Sequence, residues 1–234
     1  MHLIFIIRRN LILKNEIKDI KGIIFDFDFT LADSSKGVVE CVNYALKKLG
    51  FTEFSEKEIN KTIGLTLEQT FMMLSKNQQL DKAKKFKRFF IEKADKIMTD
   101  LTELFTETPS VIKRLHKKNF KLGIVSTKFR YRIQDILSRE NLLDYFEVIV
   151  GGEDVSTLKP NPSGLLLAAK KLNLTTSQVM YVGDSTIDAE TSNSAGISFI
   201  AVLSGVTPRK EFSRYQVREF LNNVSELPKL LYIT

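Results

Sequence analysis

Asp26 and Asp28 close an apolar run, Gly22 to Phe27, where a buried strand has no structural use for two carboxylates. Two residues apart, they leave a strand by the same face. Like charges that close call for a cation or a shared proton. Three more polar groups stand at the ends of apolar runs. Ser126, Thr127 and Lys128 follow Lys121 to Val125; Lys159 opens a Lys-Pro-Asn-Pro stretch; Asp184, Ser185, Thr186 and Asp188 follow Val179 to Val182. Asp184 and Asp188, four apart at a predicted helix start, share a face. This inventory suits phosphoryl transfer. A carboxylate can act as covalent nucleophile. A lysine and a hydroxyl can hold the phosphoryl oxygens as charge spreads over them. A hard cation such as Mg²⁺ takes carboxylate ligands, with phosphate and water completing its shell.

Each group has a plainer alternative. Asp184 to Thr186 could only cap a helix, Lys159 could be an exposed loop residue, and Ser126 could bond its own turn. Their order and shared position at strand ends argue for one site. Other chemistries lack their parts. There is no Gly-x-Ser-x-Gly elbow, and His2 and His116 make no Ser-His-Asp triad. No Gly-x-Gly-x-x-Gly or Walker-type loop is present.

The elements that must position these residues follow from the apolar pattern. Gly22–Phe27, Phe120–Ser126, Val148–Val150, Val179–Val182 and Ile197–Leu203 read as strands buried on both faces. Helical patterns lie between them at Ser110–Lys118, Tyr131–Arg139, Asn161–Leu172 (with Pro162 at its first position) and Ile187–Ala195, the last stopped by Gly196. Alternation of this kind predicts an α/β fold, a doubly wound parallel sheet. In such a sheet the carboxyl ends of the strands converge on one crevice.

The stretch between the first two strands is far longer than one crossover needs, and it reads as helical. Val38, Val39, Val42, Ala45, Leu46 and Leu49 keep helical spacing, with Gly50 as the stop. Ser55 to Glu58 and Thr66 to Gln69 match capping boxes. Phe86, Phe89, Phe90, Ala94 and Ile97 make another apolar face, with Lys82, Lys84, Lys85, Lys87 and Arg88 expected toward water. Residues 35–105 are therefore expected to form an inserted all-helical subdomain. Residues 21–34 and 106–234 would be the α/β core, and residues 1–20 an extension of unknown role.

The chain's 234 residues suffice for a sizeable core, and 43% hydrophobic with 27% charged residues argues against disorder. The net charge of +7 is spread among interleaved acids, without the stripe of a nucleic-acid binder. Cys41 is the single cysteine, so no internal disulfide forms, and with two histidines a Cys/His zinc site is excluded. Cys41 reads as a buried small hydrophobe. No run approaches the ~20 apolar residues of a membrane span. Arg8 and Arg9 follow the N-terminal apolar run, the wrong order for a signal peptide. The expectation is a cytoplasmic monomer or homodimer acting on a small phosphorylated metabolite, with no nucleic-acid or membrane partner.

The motif set resembles the haloacid dehalogenase-like (HAD) phosphatase superfamily, and within it the phosphoglycolate phosphatase-like members. Asp26, Asp28 and Thr30 match Asp-x-Asp-x-Thr, Ser126 the hydroxyl after the second strand, Lys159 the Lys-Pro-x-Pro lysine, and Asp184 and Asp188 the Gly-Asp-Ser-x-x-Asp motif. The resemblance covers about residues 21 to 225 and implies a helical cap where this chain has its insert. It implies Asp26 as nucleophile, Asp28 as acid and base, and Mg²⁺ held by Asp26, Asp28 (through its carbonyl) and Asp184, with Asp188 as a further ligand or as a partner behind the ligands. It also implies Ser126 and Lys159 on the phosphoryl oxygens. Thr127, Thr66 and Glu68 are the expected substrate contacts. Asp28 argues against dehalogenation. Within the superfamily, inorganic pyrophosphatase and sugar phosphomutase are the alternatives, although Ile63 to Gln69 lacks the cap arginine typical of the latter. Phosphonoacetaldehyde hydrolysis would need a cap lysine as Schiff base, and none of the insert's lysines reads in that role. A phosphate-responsive binding module is the alternative of another class. The chain departs from the family at Phe29, where glycine is usual; an ordinary φ is expected there, with the ring packed near the cap hinge.

Overall fold

The computed structural model describes residues 19–233. The expected N-terminal extension lies outside these except for Asp19 and Ile20. Ile20 is buried in the core.

Among the described residues the main sheet has six parallel strands, in the order β5-β4-β1-β6-β7-β8. They are β1 (Gly22–Phe25), β4 (Lys121–Val125), β5 (Val148–Val150), β6 (Val179–Gly183), β7 (Ser198–Val202) and β8 (Glu219–Leu221). β1 lies at the centre, with Ile24 in register with Gly123 on one side and Tyr181 on the other. Its side chains alternate as a strand's must. Ile23 and Phe25 enter one apolar layer and Ile24 the other. Helices α5 (Thr108–Lys117), α6 (Arg130–Arg139), α7 (Ser163–Lys171), α8 (Thr186–Ala195) and the short α9 (Leu227–Leu230) supply the rest of those layers.

The chain runs from β1 to β4 and β5 on one side, then returns to β6 on the other. That reversal opens a crevice at the carboxyl ends of β1, β4 and β6. Five of the strands were expected; β8 was not, because Glu219, Phe220 and Leu221 form a short edge without a clear apolar run. α7 begins at Ser163, with Pro162 capping it instead of serving as its first residue.

Between β1 and β4 a two-stranded antiparallel pair, β2 (Ala32–Asp33) with β3 (Glu103–Leu104), brackets a helical insert. The insert holds α1 (Ser35–Lys48), α2 (Glu56–Asn60), α3 (Leu67–Ser75) and α4 (Leu80–Ile97). It has its own apolar centre of Val42, Leu46, Ile59, Phe71, Phe86 and Phe90. Both capping boxes form, Ser55 with Glu58 and Thr66 with Gln69. Cys41 is buried there, and burial pushes its thiol up to about 12, as suits a packing residue. Among the described residues, no helix is long and apolar enough to cross a membrane.

Candidate active site

The aspartates and Ser126 sit where strands end, and Lys159 lies in the loop between β5 and α7. Asp26 follows β1, and its amide donates to the Val182 carbonyl at 2.8 Å, extending the ladder past the named strand. The chain then reverses. The amides of Leu31 and Ala32 both donate to the Phe27 carbonyl, at 2.9 and 3.1 Å. This turn forces Phe29 to φ +59°, in the left-handed region, contrary to the ordinary φ expected. Its ends are tied by Phe29 N donating to Ala32 O at 2.7 Å and Ser204 Oγ donating to Phe29 O at 2.6 Å. The fixed turn overrides the residue's preference, at a cost of about 1–2 kcal/mol. The ring itself is buried.

Asp26, Asp184 and Asp188 converge, with one carboxylate oxygen from each within 4.8 Å of the others. All three are buried. Lys159 enters the same space. Its Nζ donates to Asp188 Oδ1 at 2.6 Å and to Tyr181 Oη at 3.1 Å. It also lies 2.9 Å from Asp26 Oδ1, a close ion pair out of hydrogen-bond alignment. Burial pulls the Lys159 ammonium down, but Asp188 and Asp26 outweigh it and hold it above the ordinary lysine range. Asp26 is pushed up to about 7, first by burial, then by Asp188, with Lys159 opposing. Burial, Asp188 and Asp26 likewise raise Asp184 well above the carboxylate range.

Asp188 has no idle oxygen. Its Oδ1 takes Lys159 and Tyr181, and its Oδ2 takes the Ser185 amide at 3.1 Å and the Ser185 hydroxyl at 2.5 Å. It doubles as the first-turn residue of the α8 capping box. By contrast, Asp26 Oδ1 and Asp28 Oδ1 are buried without an aligned hydrogen bond. A Cβ on Gly205 would stand 1.9 Å from Asp184 Oδ2, so only glycine leaves that carboxylate its place. The all-oxygen donor set of Asp26, Asp184 and Asp188 fits a hard divalent cation.

On the other side of Asp28 a cavity of about 110 Å³ separates core from insert. Thr127, Lys128 and Arg132 line it from the core; Thr66, Glu68 and Lys87 line it from the insert. Thr66 and Glu68 thus reach the cavity, but both have partners within the insert. The Thr66 hydroxyl accepts the Gln69 amide at 3.1 Å, and Glu68 pairs with Lys87 at 3.0 Å. Lys87 was expected toward water and instead turns to the cavity wall. Ser126 is buried behind Thr127, its hydroxyl accepting the Lys128 amide at 3.3 Å.

Lys128 Nζ stands 3.1 Å from Asp28 Oδ1, a role the sequence reading did not assign it. Its position two residues past Ser126, at a strand end, was the available signal. Tyr181 was read only as part of an apolar strand. Arg132 was counted as an ordinary helix residue, yet it is buried and bonds Asp95 of the insert, Nη2 at 2.6 Å and Nε at 3.2 Å.

Residues 23–202 match the family model described as haloacid dehalogenase-like hydrolase, well over half the chain. The chain belongs to the haloacid dehalogenase-like hydrolases. A haloacid dehalogenase-like hydrolase of Bacteroides fragilis superposes with a TM-score of 0.86 at 40% identity, over 89% of this chain and 99% of that one. Phosphoglycolate phosphatases of Salmonella typhi and of Escherichia coli K12 are each 27% identical, over 82% of this chain and 84% of their own length. As a member of this family the chain is a hydrolase, and the acidic cluster can hold a metal ion.

Proposed function

We propose that this HAD-like hydrolase is a Mg²⁺-dependent phosphatase that cleaves small phosphate monoesters through an aspartyl-phosphate. Phosphoglycolate, named for the curated relatives, is the foremost candidate substrate. The observation that carries the reading is the pairing of a buried carboxylate oxygen, Asp26 Oδ1, with a buried lysine 2.9 Å away, at the end of the central strand and beside Asp184 and Asp188. Asp26 thus has both the charge to attack phosphorus and a cation to offset it.

Asp26 attacks the phosphorus, forming an acyl phosphate as the bond to the ester oxygen breaks. Asp28, at the cavity mouth, gives its proton to the departing alkoxide and then removes one from the water that hydrolyses the intermediate. Lys159 and the Ser126 hydroxyl bind the non-bridging oxygens. Asp26, Asp184 and the Asp28 carbonyl would hold Mg²⁺, which supplies charge neutralisation on the phosphoryl group. Asp188 supports the centre from behind through Lys159, since protein donors occupy both its oxygens. Lys128, which pairs with Asp28 and lines the cavity with it, meets the leaving group, with Thr127 beside it; Thr66 and Glu68 would join only by exchanging their present partners.

The helical insert acts as a cap over the cavity, excluding water and limiting the ester to a small one. The binding-module alternative has no use for such an enclosed space. The test is hydrolysis of a generic aryl phosphate by the purified protein with Mg²⁺. The wild type turns over, chelation with EDTA abolishes activity, and Asp26→Asn loses at least ~10³-fold. Full activity in Asp26→Asn would sink the assigned nucleophile. A subsequent screen across phosphoglycolate, pyrophosphate and sugar phosphates ranks the substrates.

A further inference from the structure

Tyr181 occupies a strand position where an apolar ring would serve. It is fully buried in β6 between Met180 and Val182, its ring 6.1 Å from that of Phe199. Burying a phenol hydroxyl is unfavourable unless it finds partners. This one has three: Asp188 Oδ1 at 2.8 Å, Lys159 Nζ at 3.1 Å and the Val125 carbonyl at 3.2 Å. A phenol has one proton to give, and the shorter contact to a charged acceptor directs it to Asp188. Its lone pair then receives an N–H of Lys159.

A lysine ammonium is a compact charge on a flexible stem with three rotatable donors. On its buried stem the ammonium can turn only about the Cε–Nζ bond. Acceptors at Asp188 Oδ1 and Tyr181 Oη hold that torsion and the place of Nζ at two points instead of one. So held, Nζ stands 2.9 Å from Asp26 Oδ1, its charge beside the carboxylate.

We propose that Tyr181 is a positioning residue for the phosphatase reaction: with Asp188 it holds the Lys159 ammonium in place beside Asp26, where the transferring phosphoryl group arrives. This rests on the phosphatase reading given above. Preorganised donors contribute most where charge develops in the transition state. The role therefore falls on kcat more than on substrate affinity.

The variant is Tyr181→Phe in the full chain, which keeps the ring and removes only the hydroxyl. With an aryl phosphate and Mg²⁺, kcat falls about tenfold while KM stays within about twofold, as expected for one lost hydrogen bond felt in the transition state. A second readout needs no turnover. In ¹⁵N-labelled protein the Lys159 ammonium gives a hydrogen–nitrogen correlation, assigned by its disappearance in Lys159→Arg; in Tyr181→Phe it shifts and broadens. An unchanged kcat in Tyr181→Phe overturns the positioning role, whatever happens to the melting temperature. If the wild type hydrolyses no phosphate ester, the phosphatase reading fails by itself. The ammonium signal then decides separately, and an unmoved signal overturns the placement of Lys159 by Tyr181.

Discussion

At the scale of single residues, the site is a set of charges that cannot all be satisfied by protein alone. Asp26, raised to about 7 by burial and by Asp188, is the clearest case. Its folded value lies above its unfolded one, so the native state binds the extra proton between about pH 4 and pH 7. This group's contribution to stability is therefore lost as pH rises through that window in metal-free protein. A divalent cation reverses the effect by favouring the ionised carboxylate. The increase in melting temperature on replacing EDTA with Mg²⁺ is expected to be larger at pH 8 than at pH 5.5, by scanning calorimetry; an equal increase would contradict it. Phe29 makes a second prediction. Glycine is normally a worse choice than alanine by about 0.5–1 kcal/mol. At φ +59° the order inverts, because alanine keeps the strain that glycine relieves. Phe29→Gly should therefore be more stable than Phe29→Ala by about 1 kcal/mol in urea unfolding, although both lose the buried ring. The sequence flagged Phe29 as odd for the family, but its torsion is set by the hydrogen-bonded turn from Phe27 to Ala32, which Ser204, remote in sequence, ties down at the Phe29 carbonyl.

At the scale of elements, the placement of the motifs was legible because it needs only periodicity and chain order. Gly22 to Phe25, Lys121 to Val125 and Val179 to Gly183 are short, apolar and central, and each ends in its polar group. What escaped were contacts made between elements. The insert meets the core through a clasp at Asp95, near the end of α4. Tyr131 Oη donates to its Oδ1 at 2.5 Å, and Arg132 joins through two nitrogens. Burial pushes the Asp95 carboxyl up, but the Tyr131 and Arg132 bonds and the Arg132 charge outweigh it, leaving it below the ordinary range. Arg139 adds bonds to the carbonyls of Thr99 and Thr102. A helical wheel shows Asp95 as one more exposed acid, because it carries no information about which helix of another layer will face it. The clasp ties the insert to the core in this arrangement. Asp95→Ala is expected to lower kcat/KM about tenfold, mainly through KM, and to increase the radius of gyration in small-angle scattering. Unchanged kinetics and scattering would show the clasp to be idle.

At the scale of the whole molecule, a parallel sheet that reverses direction beside its central strand brings distant parts of the chain to one crevice. Asp26, Lys159, Asp184 and Asp188 meet there, and the insert between β2 and β3 encloses the adjoining cavity. The sequence showed both the sheet and the insert. It put Lys128 in a strand-end group without its pairing to Asp28, and it did not show Tyr181 or Gly205 as parts of the site, since each acquires its role from a neighbour across a strand or loop. The central claim is that Asp26 becomes covalently phosphorylated. Its most direct test is an acid quench during steady-state turnover of a ³²P-labelled phosphate ester, followed by peptide mapping. The account predicts acid-stable label on the peptide containing Asp26, removed by hydroxylamine and missing in Asp26→Asn. Sustained turnover with no label on that peptide, under conditions where hydrolysis of the intermediate limits the rate, would contradict it.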